Sequence, residues 1–148
     1  MQLQAIHAFV QAHSDILQPP FLKACLLLGA KMTLSGLIAT RNPIAYSDCI
    51  GLPLHRGHLE PKSAASNTGR GWVTVFAGRE AAIGSAILVL LCLRESKALS
   101  VLVSALDLAV MGDVCSSVRH GSRGACRLQL VFGAFTLWVG PLGLLLFW

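Results

Sequence analysis

Long apolar stretches with few charged residues alternate with polar connections along this chain. Four segments of about 20 residues are apolar around every face of a helix, and charged residues or turn signals bound each one. The hydrocarbon core of a bilayer is about 30 Å thick and accommodates roughly 20 helical residues. The pattern therefore predicts four membrane-spanning helices, at about residues 21–40, 72–93, 98–118 and 128–148.

The segments between these spans predict how the helices are arranged. Residues 1–20 are weakly amphipathic and end at Pro19-Pro20, which favours an interfacial segment followed by a span that begins at Phe21. Only residues 94–97 separate the second and third spans, so these two should be antiparallel neighbours. The first connection is rich in proline and glycine and predicts a long irregular loop. We expect one all-α domain over residues 1–148, an integral membrane four-helix bundle with a long first cytoplasmic loop.

Composition and charge support a lipid environment. Hydrophobic residues make up 54% of the 148 residues and charged residues 13%, about half the charged share of a typical soluble domain. The net charge of +5 does not indicate nucleic-acid binding, because no basic run is interleaved with aromatic residues. By the positive-inside rule, the first and third connections face the cytoplasm. They hold most of the basic residues: Arg41, Arg56, Lys62, Arg70, Arg119, Arg123 and Arg127. We expect the endoplasmic reticulum or another endomembrane as the location.

No metal site or cofactor is expected. The five cysteines form no CxxC pair. His55, His58 and Glu60 lie close together in LHRGHLEP, but no further histidine or cysteine ligand is near them in sequence. No nucleophile elbow, phosphate loop or dinucleotide fingerprint is present.

Five ionisable side chains fall inside the predicted spans: Lys31, Arg79, Glu80, Asp107 and Asp113. Each costs about 2.5–3.5 kcal/mol near mid-bilayer, so each needs a partner or a function. Helical rise places Lys31 and Asp107 at similar depth, and Arg79 near Asp113 across the hairpin, which predicts two ion pairs. Glu80 then either joins the Arg79 cluster or remains protonated.

These charges have two interpretations. They are structural pairs that fix which helices meet, or they form a polar site for proton transfer or substrate binding. On the second interpretation Arg79, Glu80 and Asp113 are the candidate catalytic residues. Small residues at every fourth position of the second span, Ala77, Ala81 and Ser85, also predict a helix-packing face.

Several short motifs in order resemble a family of small fungal multi-pass membrane proteins classed under a domain of unknown function. They are Asn42-Pro43, Gly51-Leu52-Pro53, Gly78-Arg79-Glu80 with Gly84, Gly112-Asp113 and a glycine-rich closing helix. The chain departs from the family pattern at Gln129, where members often have histidine, and at Lys31, since the first span usually lacks a central lysine.

The resemblance implies a role in making or handling a lipophilic secondary metabolite, because such proteins are similar to ones encoded near polyketide or terpenoid pathways. We therefore expect an accessory or tailoring factor, with acid/base isomerisation or cyclisation of a lipophilic intermediate as the suggested chemistry. The alternative is a non-enzymatic scaffold for pathway enzymes or a small-molecule carrier. Self-association into a homo-oligomer is a further expectation for so small a bundle.

Overall fold

The computed structural model describes residues 2–49, 64–120 and 123–148 of the chain. In these ranges every regular element is an α-helix, so the predicted all-α class is confirmed. The helices are α1 (Gln2–Ala12), α2 (Ser14–Arg41), α3 (Pro43–Cys49), α4 (Ala64–Cys92), α5 (Ser96–His120) and α6 (Arg123–Phe147).

Three helical segments are long and apolar enough to cross a membrane. They are Ser14–Arg41, Gly71–Cys92 and Ser96–Cys115. The apolar part found in α6 is the shorter stretch Gly133–Phe147. Large apolar side chains on these helices point outward, among them Leu27, Leu108 and Trp138. Such helices with apolar outer faces suggest a lipid bilayer as their surroundings.

The start of the first long helix differs from the prediction. Helix α2 begins at Ser14, and Pro19 and Pro20 lie inside it. The chain breaks instead at His13, which has φ −114° and ψ 19° and whose Nδ1 lies 2.9 Å from the Phe9 carbonyl oxygen. Because proline has no N–H group, each of the two removes one hydrogen bond to the carbonyl four residues earlier. Both of these carbonyls belong to the first turn of α2, where water at an interface can satisfy them.

The first connection is also more regular than predicted. Asn42 accepts a hydrogen bond from the backbone of Ala45 at 3.1 Å, and Pro43 starts the short helix α3. Asparagine as the cap and proline at the first helical position are a favourable helix start. Helix α4 begins at Ala64, ahead of the predicted residue 72. The possible ligands in residues 55–60 lie outside the described residues, as does the middle of this connection.

The helices associate in two close pairs, α2 with α4 and α5 with α6. Helices α4 and α5 are joined by a tight turn and are neighbours as predicted, but they contact each other much less. At the end of the bundle near this turn, Gln11 donates a hydrogen bond to the Leu145 carbonyl at 2.9 Å. The ammonium of Lys97 lies 5.5 Å from the centre of the Trp148 ring at the same end.

Glycine allows α2 and α4 to approach closely. A Cβ added to Gly36 would lie 2.5 Å from the Ala77 carbonyl oxygen and 2.6 Å from the Ala81 nitrogen. A Cβ on Gly84 would lie 2.5 Å from the backbone nitrogen of Thr33. The two backbones are therefore in direct contact, as small residues permit between membrane helices.

The predicted packing face of α4 is partly correct. Ala77 is fully buried and Ala81 lies against Gly36, but Ser85 is exposed and Gly84 takes its place at the contact. A helix advances 3.6 residues per turn, so a residue seven positions on returns closer to the same face than one eight positions on.

A methyl group at Gly36 should separate the pair. We expect Gly36→Ala to lower the stability of the detergent-solubilised protein by about 1–3 kcal/mol, because its Cβ meets backbone atoms that cannot move aside. The thermal unfolding midpoint measures this. The matched control is Gly78→Ala in α4, where an added Cβ has nothing within 4 Å and stability should hold or rise slightly. Equal midpoints for both variants would refute the close contact.

Candidate functional site

The predicted ion pair across α4 and α5 is confirmed. Nη2 of Arg79 lies 3.3 Å from Oδ2 and 3.5 Å from Oδ1 of Asp113. Both side chains remain partly exposed, 41% for Arg79 and 40% for Asp113. The guanidinium also lies over the Phe76 ring, 5.0 Å from its centre, so an apolar residue supports its planar face. The pair therefore bridges the two helices where they contact each other little.

Glu80 lies on the inner side of α4, and three groups from α2 and α3 surround it. Ser35 donates a hydrogen bond of 2.7 Å to Oε2 of Glu80. Nζ of Lys31 lies 4.0 Å from Oε1, and the Tyr46 hydroxyl makes a further hydrogen bond with the same carboxylate. The Glu80 side chain is only 17% exposed. Its negative charge is thus compensated in a largely apolar position.

The predicted pair between Lys31 and Asp107 is wrong. Lys31 faces α4 and pairs with Glu80, whereas Asp107 is 7% exposed and lies against α6. A Cβ on Gly140 would overlap Oδ2 of Asp107, and the Thr136 hydroxyl makes a hydrogen bond with the carboxylate. Among the described residues, no group makes a hydrogen bond with Oδ1 of Asp107. Equal depth along two helices does not place side chains on facing surfaces, and α2 and α5 each turn this face to another helix.

Tyr46 is a site residue that the sequence did not reveal. It is buried beside Ala39, Val73 and Ala77, and helix α3 brings it to Glu80. Burial raises the pKa of the Tyr46 hydroxyl, and the negative charge of Glu80 and their hydrogen bond raise it further. The available signal was Asn42-Pro43, which starts the helix that carries this tyrosine.

The two sets of contacts form one polar cluster. Its members are Lys31, Ser35, Tyr46, Arg79, Glu80 and Asp113. The cluster contains two basic and two acidic side chains, so its formal charges balance. Gly71 begins the part of α4 that is long and apolar enough to cross a membrane. Arg79 lies eight residues after it, or about 12 Å along the helix axis, at a depth where water is scarce in a bilayer. Carboxylates and hydroxyls in such a position can exchange protons with a bound molecule.

Two further features concern the described part of the chain. No group of three or more His, Cys, Asp or Glu residues there is arranged to hold a metal ion. Gly112, which precedes Asp113, has open space where a Cβ would be, so no described helix packs closely against it.

Comparison with known families places the chain. The family model described as domain of unknown function DUF4267 matches residues 29–146. The chain belongs to this family. The match covers most of the chain and includes every residue of the polar cluster, so the cluster lies within the DUF4267 domain. No curated protein and no solved structure matches the chain.

Tyr46 is the only tyrosine, so its ionisation can be followed directly. We expect tyrosinate absorbance to rise at a pH above the ordinary pKa of 10.0. Glu80→Gln should move this rise part of the way back, because it removes a nearby negative charge. Tyr46→Phe should abolish the signal. A titration at the ordinary value in the folded protein would contradict the burial of Tyr46.

The same shift has a consequence for stability. The folded state holds the Tyr46 proton more tightly than the unfolded chain, because burial disfavours the ionised form of the tyrosine. The stability that this bound proton contributes is therefore fully present below the ordinary pKa of 10.0. It is lost as pH rises from there through the higher pKa of the folded state. Tyr46→Phe should flatten this alkaline loss.

Asp107 offers a separate test. Replacing it by asparagine keeps the size but removes a buried negative charge that has an unpaired oxygen. We expect Asp107→Asn to raise the stability of the solubilised protein by about 1–3 kcal/mol. The control is Glu95→Gln at the exposed turn before α5, which should have little effect. A lower unfolding midpoint for Asp107→Asn than for the unmodified protein would show that the carboxylate is compensated.

Proposed function

We propose that this DUF4267 protein is a multi-pass membrane protein that performs acid/base chemistry on a lipophilic intermediate. In this proposal it is an accessory or tailoring factor of a fungal secondary-metabolite pathway, such as a polyketide or terpenoid pathway. The observation that carries the chemical part is the environment of Glu80. A carboxylate that is largely buried among apolar helices, yet contacts Ser35, Lys31 and Tyr46, has the features of a proton-transfer group.

The proposed reaction is an isomerisation without change of oxidation state. Glu80 removes a proton from a carbon next to a carbonyl or double bond, and the electron pair of that C–H bond shifts into the conjugated system. The proton then returns to a different carbon of the same molecule, so no cofactor or second reactant is consumed. Asp113 is the second proton-exchanging group, and Arg79 orients it through their ion pair.

The proposed membrane arrangement supports this chemistry. We propose that α6 is a fourth span and that the membrane is an endomembrane such as the endoplasmic reticulum. By the positive-inside rule, the arginine-rich connections before α4 and after α5 would then face the cytoplasm. Helices around the cluster would keep water from reactive intermediates, which matters for an isomerisation or cyclisation that passes through a carbanion or carbocation.

Glu80→Gln tests the proposal in a host that makes the metabolite. The change keeps the size of the side chain but removes its ability to accept a proton, so product formation should fall by at least about a hundredfold. One defined precursor should accumulate, as seen by mass spectrometry of the metabolites. The protein should still be present in carbonate-washed membranes. The matched control Glu95→Gln lies at the turn before α5, outside the polar cluster, and should leave the profile unchanged.

Other metabolite profiles identify the alternatives. Normal product formation by Glu80→Gln removes Glu80 from the reaction. If deletion of the gene lowers all late products together, the protein is a scaffold. If deletion leaves the final product trapped inside the cell, it is a carrier. Either of these two results contradicts the acid/base role.

A further inference from the structure

Some hydrogen-bond donors of the Arg79 guanidinium have no acceptor among the described residues. An arginine side chain has five N–H donors in a planar fork. Among the residues that the structure describes, Arg79 donates only through Nη2, to Asp113 at 3.3 and 3.5 Å. These distances exceed the 2.7–2.9 Å typical of strong charge-assisted bonds. Among the described residues, the Nε and Nη1 side of the fork therefore has no acceptor.

The free side of Arg79 lies next to apolar surface. Val75 and Phe76, one helical turn before Arg79, are 63% and 39% exposed. Unpaired donors are costly in lipid, where water cannot satisfy them. A molecule that satisfies these donors and also covers the apolar surface needs two parts. It needs an oxyanion that accepts two parallel N–H hydrogen bonds and a hydrocarbon body that lies on the apolar face.

We infer that Arg79 is an anchoring subsite for the carboxylate of a lipophilic acid, which binds along the Val75 and Phe76 face of α4. This inference rests on the proposed function and names the class of molecule on which it acts. Arg79 is then a binding residue and Glu80 the group that exchanges protons. The carboxylate would fix one end of the molecule, and its apolar body would lie near the polar cluster.

Charge balance adds a second feature. The charged and titratable groups around the subsite are Lys31 on α2, Tyr46 on α3, Arg79 and Glu80 on α4, and Asp113 on α5. With a neutral tyrosine their formal charges already cancel. A bound carboxylate adds one negative charge in an apolar region, where an uncompensated charge is strongly disfavoured. About one proton should therefore be taken up with each anion, and binding should strengthen as pH falls.

Binding of radiolabelled palmitate to the full chain in a neutral detergent tests the subsite. We expect saturable binding that Arg79→Gln weakens by about tenfold or more. Arg79→Lys keeps the charge but not the fork, and should give an intermediate affinity. The matched control is Arg94→Gln at the exposed turn, which should bind like the unmodified protein. Unfolding midpoints of all variants show whether each remains folded.

Competitors identify what the subsite recognises. Methyl palmitate has the same chain without the negative charge and should not displace palmitate. Phosphatidic acid tests the other source of an anionic head on an apolar body, the bilayer lipids, and should compete poorly. Equal palmitate binding by folded Arg79→Lys or Arg79→Gln and the unmodified protein would overturn the inference, as would effective competition by the methyl ester or a preference for phosphatidic acid.

Glu80→Gln separates this inference from the proposed function. The variant should bind palmitate because Arg79 is intact, although it should form no product. Palmitate binding that depends on Arg79, together with normal product formation by Glu80→Gln, would leave the subsite standing and remove the acid/base role. Loss of product in Glu80→Gln without any Arg79-dependent binding would do the reverse.

Discussion

The direct backbone contact between α2 and α4 is the constraint on which the polar cluster depends. Gly36 and Gly84 let the two helices approach until each has backbone atoms against the other. At this separation the short side chain of Ser35 reaches the Glu80 carboxylate on the facing helix. A wider spacing would leave Glu80 without its shortest hydrogen bond, and a buried carboxylate without such partners is unfavourable. The close packing of this helix pair therefore brings Glu80 within reach of the group that makes its shortest hydrogen bond.

The second helix pair uses glycine for a similar close approach but compensates its charge less well. Gly133 and Gly140 of α6 lie against Val114 and Ser104 of α5. The carboxylate of Asp107 is enclosed in this contact, and in the part of the chain that the structure describes one of its oxygens has no hydrogen-bond partner. The hydroxyl of Thr136, which makes a hydrogen bond with Asp107, shares its single proton with the Gly133 carbonyl oxygen at 3.0 Å. The α5 and α6 pair is therefore closely packed around a group that it only partly satisfies.

The approximate positions of the three long apolar helices were predictable because hydropathy and length depend on local sequence alone, but the starts of α2 and α4 were not. The pair between Arg79 and Asp113 was predictable too, since a tight turn fixes α4 and α5 as antiparallel and helical rise then gives the depth of each residue. The partner of Lys31 was not, because it depends on how each helix is rotated about its axis. Tyr46 was missed because its place beside Glu80 requires the short helix α3, in a connection that was predicted to be irregular. The capping pattern of Asn42 and Pro43 was the available signal for this helix.

Access and charge compensation together decide which carboxylate suits chemistry. Asp107 is 7% exposed and packs so closely against α6 that a methyl group at Gly140 would overlap its carboxylate. Glu80 and Asp113 have compensated charges, and the side chains of Arg79 and Asp113 remain about two-fifths exposed where α4 and α5 contact each other little. On the proposed function, a lipophilic molecule would reach this surface from the bilayer without crossing a packed interface. Among the described carboxylates within the long apolar helices, those of the polar cluster combine compensated charges with a position at this exposed surface, as for Asp113, or beside it, as for Glu80.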